Sequence, residues 1–205
     1  MRLLRYGATI ASVAVIALLA GCESGSGAAP LSLSGLTKTA ESLGTKGAGT
    51  CPLPYDIAKA TKAAGVDASA GTGSVKDADE PVATGEVRSD NPVALVSCTF
   101  HIGEESVHVH TAATDKPQAN AQLAPLIQYL AGLSLNDLIA YTKKAGEAKA
   151  GEPVLTDGGT VAVVRLKLDG EGDATLLVGV GESGHSALSR DQVGKLAKAL
   201  TAQVQ

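Results

Sequence analysis

Aromatic side chains are scarce in this sequence. It contains no tryptophan, one phenylalanine and four tyrosines among 205 residues. Sites that stack on nucleotide bases use aromatic side chains as platforms, and sugar-binding sites do the same, so this chain has few such platforms to offer. The shortage of aromatic rings also means that valine, leucine, isoleucine and alanine must form most of the hydrophobic core.

Basic residues are too few for an extended positive patch. The chain has 17 lysines and arginines against 21 acidic residues, which gives a net charge of −4. Loss of an N-terminal segment containing Arg2 and Arg5 would make this charge more negative. A nucleic-acid partner normally requires a basic patch, so the composition argues against nucleic-acid binding. It also supplies no polybasic segment that could add to membrane attachment.

The N-terminal apolar run is too short to cross a membrane. It extends from Ala8 to Ala20, whereas a spanning helix needs roughly twenty apolar residues. Arg2 and Arg5 precede the run, as in a secretory signal peptide. The alternative is a lone transmembrane anchor, but no cluster of lysine or arginine follows the run to stop its transfer. The pattern therefore predicts a signal peptide.

That signal ends in Leu19-Ala20-Gly21-Cys22, which closely resembles the bacterial lipobox. The resemblance implies that residues 1–21 are a lipoprotein signal peptide, cleaved between Gly21 and Cys22. It also implies that Cys22 carries a diacylglyceryl thioether. Each buried CH₂ contributes about 0.8 kcal/mol, so two or three acyl chains would hold the protein firmly. We expect a lipid-anchored protein on the extracytoplasmic face of the cell membrane.

Composition divides the rest of the chain into two parts. Residues 22–49 are rich in glycine, serine and alanine and are predicted to be a flexible tether, with a mean reach of roughly 30 Å. Residues 50–205 are predicted to form one α+β domain, a mainly antiparallel sheet packed by helices, because strands follow one another through short turns while helices occur in groups. Helices are expected near 55–64, 117–130, 134–144 and 190–203, and strands near 82–88, 93–102, 105–111, 153–155, 160–168 and 174–180.

A β-hairpin around Gly103-Glu104 is the most specific local prediction. Glycine in the first position of a two-residue loop suits a type II′ turn. This register places Phe100 opposite Val107 and Cys98 opposite Val109, which makes one face of the hairpin apolar. A slip of one residue would mix the two faces. The other face is predicted to carry only polar side chains: Ser97, Thr99, His101, Ser106, His108 and His110.

Two cysteines remain once Cys22 is assigned to the lipid. In an exported domain, Cys51 and Cys98 are most simply explained as a disulfide. It would tie the entry of the first predicted helix of the domain to the apolar face of a strand. The alternative is a pair of separate buried thiols. The chain contains no Cys-x-x-Cys pair, so its cysteines do not suggest redox catalysis.

Three histidines form the only cluster with the character of metal ligands. His101, His108 and His110 share the polar face of the predicted hairpin, and a His-x-His pair on a strand can chelate zinc or copper when another ligand completes the site. The alternative is a solvated polar face that happens to contain histidines, and we expect this alternative, with no metal and no other cofactor.

The remaining glycine-rich motif does not support catalysis. Residues 181–186 follow a predicted strand but lack the Gly-x-Ser-x-Gly spacing of a nucleophile elbow. Gly179, Gly181 and Gly184 match Gly-x-Gly-x-x-Gly, yet no strand follows the next helix to complete a dinucleotide-binding unit. We therefore expect no catalytic residue, and a protein that is not an enzyme.

The segment around the two cysteines resembles a family of uncharacterised small lipoproteins from actinobacteria. The similarity covers mainly residues 50–112 and rests on Cys51-Pro52-Leu53, on a helix that ends Ala63-Ala64-Gly65, and on Cys98-Thr99-Phe100. Phe100 stands where the family usually has tryptophan. The resemblance implies a sheet-and-helix domain similar to the Mog1/PsbP-like fold, and it implies no catalytic residues.

Together these observations predict a lipid-anchored, non-catalytic binding or accessory module of the cell envelope. Its partner would be the membrane, through the lipid on Cys22, and an unidentified envelope protein, lipid or small molecule. The alternative function is a metal-binding protein that holds zinc or copper on His101, His108 and His110.

Overall fold

The strands form one antiparallel sheet that separates two layers of helices. The computed structural model describes residues 30–77, 79–88 and 93–205. Within these ranges the helices are α1 Leu33–Leu43, α2 Ile57–Ala63, α3 Ala119–Gln122, α4 Ala124–Ala131, α5 Leu135–Glu147 and α6 Arg190–Thr201. The strands are β1 Ala70–Thr72, β2 Ala83–Arg88, β3 Val93–Ile102, β4 Glu105–Thr114, β5 Pro153–Leu155, β6 Val161–Leu166 and β7 Asp173–Val180.

The sheet has the strand order β1-β3-β4-β7-β6-β5, and β2 also pairs with β3. Every pairing is antiparallel. Chain neighbours such as β3 and β4 join through a tight turn, whereas α3–α5 lie in the connection between β4 and β5. This arrangement confirms the predicted α+β class and the C-terminal helix.

The β3–β4 hairpin has the predicted register. Cys98 lies opposite Val109, Phe100 opposite Val107 and Ile102 opposite Glu105. Gly103 has a φ of +62°, which a residue with a side chain adopts only at a cost and which the first position of a type II′ turn requires. Alternating apolar and polar residues fix the pairing because a one-residue shift would turn every apolar side chain of a strand to the wrong face.

Each face of the sheet packs against its own set of helices. On the first face, α1, α2 and α6 cover apolar residues of the hairpin and of β6 and β7, with Phe100 among the largest buried side chains. On the second face, α4 and α5 cover Ala112, Val163 and Leu177. The result is a three-layer arrangement in which both faces of β4, β6 and β7 are covered.

Helix α1 corrects the prediction of a flexible tether over residues 22–49. Residues 33–43 are helical, and Leu36, Ala40 and Leu43 are buried in the core of the first face. The helix passes so close to β2 that a Cβ on Gly85 would lie 2.6 Å from the Cα of Ala40. Ser32 caps the helix by accepting a hydrogen bond from the Gly35 amide. The folded domain therefore begins well before residue 50.

Two other elements differ from the sequence-based expectations. The helix predicted for 117–130 divides into α3 and α4 around Leu123. Pro125 explains the break, because proline has no N–H to donate and its ring clashes with the preceding turn of a continuous helix. Ala70–Thr72, which lies outside every helix and strand expected from the sequence, forms the short strand β1 on β3.

Cys51 and Cys98 are paired in the structure, with their Cα atoms 5.6 Å apart. Cys98 lies on the buried first face of β3, and Cys51 packs against the same core just before α2. The pairing predicted for these two cysteines is thus present in the fold, and it joins the segment before α2 to a central strand.

The predicted signal peptide and Cys22 lie outside the described residues. Among the residues that are described, no helix combines the length and the apolar character needed to cross a membrane.

Candidate functional site

The polar side of the hairpin lies on the second face of the sheet, beside the layer formed by α3–α5. The register places Ser97 opposite His110, Thr99 opposite His108 and His101 opposite Ser106. We call this set the histidine face: Ser97, Thr99, His101, Ser106, His108 and His110.

His110 is the most deeply buried histidine of this face. It is 9% exposed, and its Nδ1 lies 2.8 Å from the Ser97 hydroxyl, directly across the strand pair. Burial lowers the pKa of His110 to about 3, with a smaller contribution from neighbouring His108. The ring is therefore neutral near pH 7, because a charged imidazolium would lose its hydration in this position.

His108 stacks on His110 at the edge of the covered region. Their ring centroids lie 6.3 Å apart, and the ring planes differ by 10°. Burial lowers the pKa of His108, while the carboxylates of Asp77, Glu182 and Glu80 partly offset this effect by favouring the charged form. The two rings of the His-x-His sequence thus share one environment in which the neutral form is favoured.

His101 is directed toward a different part of the fold. Its Nδ1 lies 3.2 Å from the carbonyl oxygen of Gly73. Its ring covers Gly71 of β1, where an added Cβ would lie 2.8 Å from the Nε2 of His101. Across residues 30–77, 79–88 and 93–205, no group of three or more His, Cys, Asp or Glu side chains is arranged to hold a metal ion.

The histidine face is less solvated than the sequence suggests. Ser106 and His110 are buried, and the Ser106 hydroxyl lies 2.7 Å from the hydroxyl of Ser74. A salt bridge of 2.9 Å between Lys76 and Glu182 joins the same loop to the turn after β7. The expectation of a solvated polar face is wrong for Ser106 and His110, because the loop around Ser74 contacts Ser106 and β7 pairs with β4 beside His110, so neither position is as open as in an isolated hairpin.

The hydrogen bond between Ser97 and His110 pairs a potential nucleophile with a potential base. A general base works best when its pKa lies near the working pH. A pKa of about 3 makes the His110 ring a weak proton acceptor at neutral pH. Ser97 also lies in the middle of β3, within a regular strand pair. The hydrogen bond instead gives each of the two polar side chains a partner in a partly buried position, where buried polar groups need one.

A second surface lies on α4 and α5, where three large apolar side chains face solvent. Tyr129 is 74% exposed, Leu135 64% and Ile139 58%. We call Tyr129, Leu135 and Ile139 the apolar surface. This surface is not among the sites expected from the sequence, although the sequence contains a signal for it. Leu135 and Ile139 are four residues apart and lie off the helix stripe that buries Leu138 and Tyr141.

Comparison of the chain with protein-family models, curated proteins and solved structures gives no match. The resemblance to actinobacterial lipoproteins and to the Mog1/PsbP-like fold therefore stays a prediction.

Proposed function

We propose that this protein is a lipid-anchored, non-catalytic binding module of the cell envelope, and that the apolar surface on α4 and α5 contacts its partner. The exposure of Tyr129, Leu135 and Ile139 is the observation that carries the binding proposal. The Leu19-Ala20-Gly21-Cys22 motif supports attachment to the extracytoplasmic face of the membrane through Cys22.

The apolar surface is costly for a protein that has no partner there. Complete burial of a leucine or isoleucine side chain stabilises a structure by about 1.5–3 kcal/mol relative to exposure. Single exposed apolar residues are common, but Leu135 and Ile139 are four residues apart on α5 and therefore adjoin on one side of the helix. Adjoining exposed apolar side chains are typical of an interaction surface. Tyrosine is also enriched in interfaces, since it combines a large ring with a hydroxyl group. In this chain, where aromatic residues are few, Tyr129 is mostly exposed.

The position of this surface fits a partner that approaches from the side away from the anchor. The Leu31 carbonyl, just before α1, accepts a hydrogen bond from Asp169 in the turn before β7. The turn between α4 and α5 lies at the other end of that strand, where the Leu130 carbonyl accepts from the Gly184 amide. A strand of eight residues separates these ends by about 26 Å. Tyr129 and Leu135 therefore lie far from the point where the chain leaves for Cys22.

The non-catalytic part of the proposal rests on the chemistry of the histidine face. Its Ser97–His110 pair lacks a base of suitable pKa, and its third histidine, His101, is directed to Gly73. A polar face organised in this way stabilises the hairpin and holds the loop around Ser74. We assign recognition to α4 and α5 instead.

The experiment that tests the binding proposal is site-specific photocrosslinking in intact cells. A photoreactive side chain at Ile139 should give a discrete adduct, whereas the same group at Val75, which is also about half exposed, should give none. The change Leu135→Asp should abolish the Ile139 adduct because it puts a charge into the contact. Absence of an adduct at Ile139, or the same adduct at Val75, would contradict the proposal.

A further inference from the structure

An apolar groove lies beside the first turn of α1. Its volume is about 220 Å³, and apolar side chains dominate its lining. Leu36 and Val204 form a buried floor, while the partly buried Leu31 and Leu53 and the exposed Pro54 border it. Gly35 also contributes to the lining and adds no side chain that would fill the space.

The groove lies close to the proposed site of the lipid. Pro30 and Leu31 line the groove, and only residues 23–29 separate Pro30 from Cys22. The eight Cα–Cα steps from Cys22 to Pro30 span at most about 26–29 Å in any conformation. Because residues 33–43 are helical, the greatest possible distance between the groove and the membrane is much smaller than it would be with a flexible tether of 28 residues.

We infer that this groove lies against the bilayer and accepts an acyl chain of a membrane lipid. This inference rests on the proposed anchoring at Cys22. The short connection confines the groove to the neighbourhood of the bilayer surface, and partly exposed leucines are suited to the boundary between head groups and acyl chains. The occupant is a neighbouring lipid of the bilayer, because the acyl chains on Cys22 are themselves inserted in the bilayer when they anchor the protein.

This orientation gives the two apolar features different partners. The groove is lined by α1 and the C-terminal Val204, on the first face of the sheet. The apolar surface belongs to α4 and α5, which pack on the second face. Contact of the groove with lipid leaves Tyr129, Leu135 and Ile139 exposed to the aqueous side.

The absence of tryptophan from the chain allows a direct test. The lipidated protein is prepared as Leu53→Trp, Leu31→Trp or Ile139→Trp and reconstituted into phosphatidylcholine vesicles with or without brominated acyl chains. Bromine quenches tryptophan only at contact distance. We expect the emission of Leu53→Trp and Leu31→Trp to shift to shorter wavelength on reconstitution and to lose intensity with brominated lipid. Ile139→Trp serves as the matched control and should show neither change.

The two groove positions protect the test against a variant that folds poorly, which a melting curve would reveal. Unquenched emission at both groove positions would overturn the inference, as would quenching at Ile139→Trp alone. A blue shift without quenching would mean that the protein's own acyl chain fills the groove, which also overturns it. Flotation separates failure of the inference from failure of the proposed function: a protein that does not float with vesicles is not anchored, whereas one that floats without quenching is anchored but leaves the groove free of bilayer lipid.

Discussion

Replacement of Leu36 by alanine should destabilise the whole domain. Leu36 is 1% exposed and packs in the core of the first face together with Ala40 and Leu43. The loss of a fully buried leucine costs about 2–5 kcal/mol, because both transfer free energy and cavity formation contribute. With a urea slope of about 1–3 kcal/mol/M, a loss of 3 kcal/mol lowers the urea midpoint by about 1–3 M.

The measurement is urea unfolding followed by far-ultraviolet circular dichroism, since the chain has no tryptophan. Lys38→Ala is the matched control, because Lys38 lies on the exposed side of the same helix and its replacement should change the midpoint little. If α1 were part of a detachable tether, Leu36→Ala would behave like Lys38→Ala. Equal midpoints for the two variants would refute the packing described here.

Three further predictions concern the disulfide, the pH dependence of stability and metal binding. Cys51→Ala combined with Cys98→Ala should cost about 4 kcal/mol in urea unfolding, as the chain-entropy estimate gives for a closed loop of this length; an unchanged midpoint would argue against the disulfide. The free energy of unfolding should fall by up to about 1.4 kcal/mol per pH unit below pH ~6.5, because His110 gains a proton in the unfolded chain but not in the folded protein. The variant His110→Asn should therefore show a smaller change of the urea midpoint with pH in this range. Addition of Zn²⁺ or Cu²⁺ should not raise the Tm in a saturable way. A saturable rise in Tm that is lost in His108→Ala and kept in His185→Ala would support the metal-binding alternative.

The direction of the pH effect follows from the depressed pKa of His110. Its folded pKa is about 3, against an ordinary value of 6.5. Above both values the ring is neutral in both states, so the full stability is present. Between them the unfolded state binds more protons, and stability decreases as the pH falls. His108 acts in the same direction, because burial lowers its pKa as well.

The elements that are specified by residues close together in the sequence could be predicted from the sequence alone. Gly103 and the alternation of apolar residues around it specified the β3–β4 register. The helix expected near 190–203 is α6, and Ser189 at its start forms a capping box with Gln192. In both cases the turn or cap lies next to the periodic apolar residues, so no distant part of the chain is needed to interpret the pattern.

Features that depend on distant contacts could not be predicted in the same way. Helix α1 has a composition typical of a linker, and its Leu36, Ala40 and Leu43 gain stability only by packing on the sheet. Short helices of this kind depend on tertiary packing for most of their stability. The burial of His110 likewise depends on elements outside the hairpin, such as β7, whose Leu177 lies opposite His110.

Attachment to the membrane through Cys22 is tested by mass spectrometry of the protein purified from the membrane fraction of its own cells. We predict that the N-terminal peptide begins at Cys22 and carries a diacylglyceryl group, and that Cys22→Ala moves the protein out of that fraction. An N-terminal peptide with an unmodified Cys22, or an unchanged membrane fraction for Cys22→Ala, would contradict the account.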